Sequence, residues 1–413
     1  MFNTHFIKSN FKYLLFGFLM TFCSSFGQTF FLGIFNPLIR EDLNLSHSEF
    51  GGIYSIATLV SSLTIIWLGK KIDDFKLRNF ALFVCLSLFF SSVFMSQLSN
   101  YLHLIFAIFF LRLFGQGLMS HTSSTAMAKI FSKNRGKALA ISWLGLSLGE
   151  GILPGLVIYF LNVLLWKKIW LLIASFLILF VFPLIIFLLK NHKDNAVHLD
   201  EQKINIKIKH WTRKEVLKDL KFYFLLPAVL CPPFLITGIF INQIYLFENA
   251  NWSLNYLAIS FTAYAVFTVL SLQISGYLID KFSAIKILPF YLIPMILGFI
   301  ISILFKSILS PIIFFIFIAV TNGTANVLMT STWSEIYGTK NLGAIRSVTI
   351  SLMVFSTALS PVLFGLLIDF GMTSLKILLY MLIYALFSNL LLIVKMRSYK
   401  PIIIAWNYNT KSL

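Results

Sequence analysis

Gly69-Lys-Lys-Ile-Asp73-Asp-Phe-Lys76-Leu-Arg78 is a short charged stretch between two long apolar runs. Its frame returns 207 residues later as Gly276-Tyr-Leu-Ile-Asp280-Lys-Phe-Ser-Ala-Ile-Lys286. The same offset pairs Asn44-Leu-Ser46 with Asn251-Trp-Ser253, Lys133-Asn-Arg-Gly136 with Lys340-Asn-Leu-Gly343, and Pro154 with Pro361. A constant offset at all of these places marks an internal duplication of about half the chain.

Composition decides what is duplicated. The chain is 58% hydrophobic and 12% charged, with a mean hydropathy of +0.87, whereas soluble domains carry about 25% charged residues. Its apolar runs reach the ~20 residues needed to cross a ~30 Å hydrocarbon core. In lipid only helices and closed barrels satisfy every backbone group. Runs this continuous read as helices, because barrel strands alternate over ~10 residues. Cys23, Cys85 and Cys231 lie in or beside apolar runs without metal-ligand spacing, so they read as small packing groups. The first run is too long for a signal-peptide core and lacks a small-residue cleavage site, so it reads as the first membrane helix.

Twelve spans are expected, roughly 12–36, 49–68, 79–98, 101–128, 137–160, 169–190, 222–246, 253–275, 287–306, 311–332, 344–369 and 374–395. The even number places both termini on one side. Of the 33 Lys and Arg, 27 fall on that side, five on the other, and Arg112 lies inside a span. The net charge of +18 is therefore topology information rather than a nucleic-acid footprint, and it places both termini in the cytoplasm. The expected organisation is an all-α membrane protein of two pseudo-symmetric six-helix halves, 1–190 and 222–395, with a cytoplasmic linker 191–221 and a cytoplasmic tail 396–413. Within the linker, Thr212 followed by Glu215 has the spacing of a helix-capping pair, which fits a short amphipathic helix on the membrane face; a disordered basic linker fits as well.

Gly69-x-x-x-Asp73-x-x-Lys76-x-Arg78 resembles the signature loop of the major facilitator superfamily, and Gly276 and Asp280 fall where that family repeats it. Arg112-x-x-x-Gln116-Gly117 resembles the family's span-four arginine motif, and Gly145-x-x-x-Gly149-x-x-x-x-Pro154-Gly155 its span-five glycine motif. Glu150 stands where Pro is common in antiporters. Arg135-Gly136-Lys-Ala138 and the stretch Glu335–Arg346 look like the oxalate/formate antiporter and monocarboxylate transporter branch. That branch holds a carboxylate with basic residues inside spans eight and eleven; here span eight has none and Arg346 sits at the mouth of span eleven, so that specificity does not carry over. The resemblance implies two six-helix bundles rocking about a midplane site, a cavity lined by spans one, four, seven and ten, and a cytoplasmic latch formed by Gly69, Asp73, Lys76 and Arg78 with Gly276 and Asp280.

A charge at bilayer centre costs ~2.5 kcal/mol or more, so Arg112 must face protein or a watery cavity. Arg112 lies ~16 Å down span four and Glu150 ~19 Å up span five at 1.5 Å per residue, depths that permit pairing. They read either as a structural ion pair or as an anion anchor with a proton-coupling partner. His121, ~30 Å down span four, reads as a satisfied boundary histidine or a proton shuttle. Asn322 and Asn326 share a face of span ten, ~16 Å in for Asn322. With Gln116, Gln28 and Gln243 they complete the set of substrate or coupling candidates; Asn242 belongs to the same kind.

No phosphate-binding loop, zinc spacing or nucleophile–base motif occurs in the chain. The reading is a non-enzymatic secondary transporter that moves a small organic solute by alternating access, with ion or exchange coupling. It needs no cofactor or metal. Its expected partners are the solute, protons and the lipid bilayer, and it is expected as a monomer in the plasma (cell inner) membrane. The alternative is a solute sensor of the same fold, which would need signalling furniture beyond an 18-residue tail.

Overall fold

A computed structural model describes residues 4–131, 135–190, 211–305, 307–338 and 341–396; the side chains of Asp73 and Asp280 lie outside the described set, as do residues 191–210 of the expected linker and the tail beyond Met396. Among the described residues twelve helices are long and apolar enough to span a membrane. They are spans 1 to 12: Phe11–Leu43, His47–Leu68, Leu77–Ser96, Tyr101–Ile130, Lys137–Leu161, Trp166–Leu188, Leu220–Ile241, Asn255–Ile279, Ala284–Leu304, Ser310–Tyr337, Val348–Asp369 and Ser374–Val394. No strand occurs among the described residues.

Span 1 runs seven residues beyond its expected end at residue 36, because Arg40-Glu41-Asp42 continue the helix past its apolar stretch. It stops at Asn44, which takes the left-handed conformation with φ of 52°. Its duplicate Asn251 does the same at 57° after span 7. Asn tolerates this conformation better than branched residues do, which explains why both copies carry it. Ser46 then opens span 2 with a reciprocal cap, Glu49 N–H donating to its hydroxyl at 3.2 Å and its own N–H donating to the Glu49 carboxylate at 2.8 Å.

The chain packs as two compact units. The first holds spans 1–6 together with residues 236–266 and 357–377, that is, the ends of spans 7, 8, 11 and 12 remote from the termini. Three helix crossings close that end. Span 1 meets span 7 where Gly33 lies on the Phe240 carbonyl, Asn36 Nδ2 donates to Ile241 O at 2.7 Å, and Gln243 Nε2 donates to Phe30 O at 2.9 Å. Span 2 meets span 11 where Gly51 lies on the Pro361 carbonyl and the Ser55 hydroxyl donates to Ala358 O. There the Asp369 carboxylate accepts the N–H groups of His47 at 3.0 Å and Ser48 at 2.8 Å, capping the start of span 2. Span 5 meets span 8 where Gly151 and Gly155 face Ala265 and Ala258, and the Thr262 hydroxyl donates to Gly151 O at 2.7 Å. Small residues at all three crossings let backbones approach, as membrane helix packing favours.

The second unit comprises residues 201–235, 267–356 and 378–413 as far as these are described. Glu335 of span 10 accepts the N–H groups of Ala284 at 2.7 Å and Ile285 at 3.1 Å, capping the start of span 9. Thr212 and Glu215 form the capping box of a helix Arg213–Lys218, so this end of the linker is helical. Trp211 fixes that helix to span 10: its N–H donates to Tyr337 O at 3.1 Å and its ring stands 5.4 Å from the Tyr337 ring.

Candidate functional site: the break in span 1 and the arginine beside it

Span 1 is not one helix. Phe11–Ser24 gives way to a tight turn Ser25–Gly27, Gln28 is extended (φ −80°, ψ 154°), and the helix resumes over Thr29–Leu43. The sequence Ser24-Ser25-Phe26-Gly27-Gln28-Thr29 is poor in strong helix formers, and Ser competes for local backbone bonds. The break is held by span 4. A Cβ on Gly27 would overlap the Leu111 carbonyl oxygen and lie 2.9 Å from Gly115 Cα; a Cβ on Gly115 would lie 2.8 Å from Gly27 Cα. The two backbones cross at a pair of glycines. Span 4 widens into π-helical turns over Leu111–Met119 at the same level, the kind of irregularity that recurs at functional sites.

The break frees a carbonyl. Past Gln28, the N–H groups of both Phe31 and Leu32 turn to Gln28 O, at 3.2 and 3.1 Å. Gly27 O instead accepts from Arg112 Nη1 at 3.3 Å, and the same nitrogen reaches Thr29 Oγ1 at 3.3 Å. The guanidinium lies 5.2 Å from the centre of the Tyr54 ring, within cation–π range. The Tyr54 hydroxyl is 2.8 Å from Thr29 Oγ1, which closes the ring of contacts. Arg112 is 5% exposed, and its Nε is buried without a partner among the described residues. Among the described residues the cation is thus held by a carbonyl, a hydroxyl and a ring face, and by no carboxylate.

The expected proximity of Arg112 and Glu150 does not become an ion pair. Glu150 is half-buried on span 5 and makes no ion pair or side-chain hydrogen bond with a described residue. Span 1 takes the contacts of both neighbours: Gly27 faces Gly115 of span 4, while Ser25 faces Gly149 of span 5 and the Phe18 carbonyl faces Gly145. The freed carbonyl reaches Arg112 first.

The other sequence candidates fall in different places. Gln28, at the break, and Gln116, in the π-helical segment, are half-buried, and their amides make no side-chain hydrogen bond with a described residue. Gln243 is fully buried in the span 1–span 7 crossing, so it acts as a clasp there. Asn322 is half-buried and Asn326 exposed, both on span 10 in the second unit. His121 Nε2 bonds the Gly69 carbonyl at 3.1 Å, tying span 4 to the end of span 2. In the signature loop Lys76 is exposed, Arg78 is half-buried with an unpartnered Nε, and Lys71 pairs with Asp74 at 3.1 Å on the surface. Gly276 lies inside the unbroken helix Asn255–Phe282 with open space around it. Sequence reading missed Thr29, Tyr54 and Asn36. Thr29 had a local signal, standing directly after Gln28 in a run of small polar residues; the reach of Tyr54 across from span 2 had none.

The twelve spans found among the described residues define a multi-pass membrane protein. The chain belongs to the Major Facilitator Superfamily, whose family model matches residues 17–361. Solved structures with this fold include a bacterial homologue of the human lysosomal transporter Spinster in an inward-facing, unoccupied conformation. It is 12% identical, with a TM-score of 0.71 over 94% of this chain and 97% of that one. The nucleoside transporter NupG is 13% identical, with a TM-score of 0.70 over 95% of this chain and 99% of that one. No curated protein sequence matches the chain.

Proposed function

We propose that this transporter is a secondary active carrier that moves a small organic solute by alternating access, with Arg112 anchoring an anionic group of the solute and Glu150 carrying a coupled proton. The observation behind this reading is the isolation of Arg112. A buried cation without a counter-ion among the described residues is costly, and an arriving carboxylate or phosphate relieves that cost. Gln28 and Gln116 are neutral amides whose side chains bond no described residue beside the same break, suited to the polar remainder of a solute. Alternating access asks the three crossings at the end remote from the termini to part, and their small-residue contacts and single carboxylate cap are few enough to reform. The positive-inside charge bias supports cytoplasmic termini in the plasma (cell inner) membrane. The signature loop, with Asp73 and Asp280, is read as the latch at the cytoplasmic end, and the carrier as a monomer.

The test is uptake into proteoliposomes against a panel of anionic, zwitterionic and neutral solutes under an imposed proton gradient. Arg112→Gln is expected to lower uptake of the accepted solute about 100-fold, the loss of one charge-assisted contact of ~3 kcal/mol. Glu150→Gln is expected to abolish accumulation while sparing counterflow exchange, which needs no net protonation. Parent-level uptake in Arg112→Gln would remove the anchor assignment. For orientation, Cys at Asn249 is expected to label only from outside and Cys at Asn195 only from the cytoplasm.

A further inference from the structure

A cavity of about 370 Å³ opens at the termini end of the first unit, where spans 1 and 6 meet. Its walls carry Lys8 and Asn10 from the short helix Thr4–Ser9 and its exit, Lys12 from the first turn of span 1, and Lys190 just past the end of span 6. All three lysines are exposed, and none pairs with a described carboxylate. The floor is apolar: Phe11 and Phe187, 56% and 61% exposed, flank the opening, and Lys12 Nζ lies 5.4 Å from the Phe187 ring centre.

Topology alone asks for lysines on this side but not for their convergence. Here cations from two places about 180 residues apart in sequence line one cavity. Its size lies in the ~300–1,000 Å³ range of small-ligand sites. Its depth is that of the lipid phosphates, because the hydrocarbon-spanning stretches begin at Phe11 and end at Leu188. Lysine stems lie along apolar rings while their heads reach the interface. Clusters of basic residues at this level attract anionic lipids, each contributing separately.

We infer that this cavity is a binding site for the phosphate headgroup of an anionic phospholipid in the leaflet facing the termini. Lys8, Lys12 and Lys190 contact the phosphate, and an acyl chain lies along Phe11 and Phe187. The site is separate from Arg112 and does not depend on the transport reading. The bound lipid would fix the half of span 1 that precedes the break at Gln28 to span 6.

Native mass spectrometry of the purified protein in detergent, titrated with phosphatidylglycerol or phosphatidylcholine, tests the site. One phosphatidylglycerol is expected to be retained at least tenfold more tightly than phosphatidylcholine. The triple Lys8→Gln, Lys12→Gln, Lys190→Gln variant is expected to lose that preference, and the matching triple Arg variant to keep it. The same number of changes at exposed lysines elsewhere on this end, Lys214→Gln, Lys218→Gln and Lys286→Gln, is expected to leave it intact. Equal loss in both glutamine triples would reduce the effect to general surface charge and overturn the site. Displacement of the lipid by millimolar inorganic phosphate would overturn the lipid assignment in favour of a free-anion site. Retention by the first glutamine triple would overturn both.

Discussion

The duplication makes each half a control for the other. At an offset of 207, Arg112 corresponds to Ala319, Gln116 to Gly323, Glu150 to Thr357, and the break residues Gly27 and Gln28 to Phe234 and Leu235. Span 7 is one helix through the equivalent of the break, although it carries Pro227, Pro232 and Pro233. Span 10 is one regular helix where span 4 turns π-helical. At the level of the buried cation span 1 is broken and span 4 widened, whereas spans 7 and 10, which carry no charge at the equivalent level, run through it as regular helices. The comparison teaches that the distortion solvates the charge: a regular helix bonds its carbonyls internally, and only a break leaves one for a guanidinium. It also shows that three prolines need not break a membrane helix, whereas two backbones crossing at paired glycines accompany a break.

The comparison breaks most visibly at Gly27. Gly27→Ala drives a methyl into the Leu111 carbonyl, a backbone atom that has nowhere to move, and is expected to cost about 3 kcal/mol, read as a large fall in thermal unfolding temperature in detergent. A near-parent melting point would show that spans 1 and 4 do not cross there. Next in size is Ala319→Arg, which places the first half's charge in the second half's regular helix. Without a freed carbonyl it is expected to destabilise by about 2.5 kcal/mol. If Ala319→Arg unfolds at the parent's denaturant midpoint, a break is not what a buried arginine needs.

Asp369→Asn weakens the cap that ties span 11 to the start of span 2. It is expected to cost about 1 kcal/mol, seen as a several-fold faster maleimide reaction of a Cys placed at Ala358 in that crossing. An unchanged rate would move closure of that end onto the glycine contacts. The smallest effect is at the loop copies. Gly276→Ala sits in open space inside a helix and should stabilise by up to about 1 kcal/mol, as helix propensity dictates. At Gly69→Ala the new methyl meets the Ile65 carbonyl oxygen 2.7 Å away and is expected to reverse that sign.

Much of the scaffold was legible because it rests on one-dimensional signals. Apolar length gave the spans, and the repeated Asn44 and Asn251 turned out to share a left-handed backbone. The end of span 1 was misread because Arg40-Glu41-Asp42 look like a loop, while a helix end is set by the next residue able to turn left-handed, Asn44. For the candidate site, sequence singled out Arg112 and Gln28 as polar residues deep in apolar runs. It placed Arg112 and Glu150 at depths that permit pairing but left the pairing open, and the structure does not make it, since depth along a helix is one-dimensional and azimuth is not. Ser25-Phe26-Gly27-Gln28 did not announce a break, because nothing in span 1 alone specifies that Gly115 will press against it. Gln243 illustrates the converse: a polar residue in a span read as cavity lining, which the fold uses to hold the Phe30 carbonyl.

Span 5 carries glycines on two strips. Gly145 and Gly149 press on span 1, while Gly151 and Gly155 face span 8; six residues of helix separate the strips by roughly 120°. On the first, any side chain would collide with backbone or with the Ser25 hydroxyl; on the second, an added methyl would sit 3.3 Å from an alanine. Mutational tolerance along this one helix is therefore divided by face. Changes on the first strip are expected to prevent assembly, and changes on the second to leave an assembled protein with an altered contact to span 8. Variation can therefore retune one helix crossing without risking whether the protein assembles, so long as it stays on the strip toward span 8.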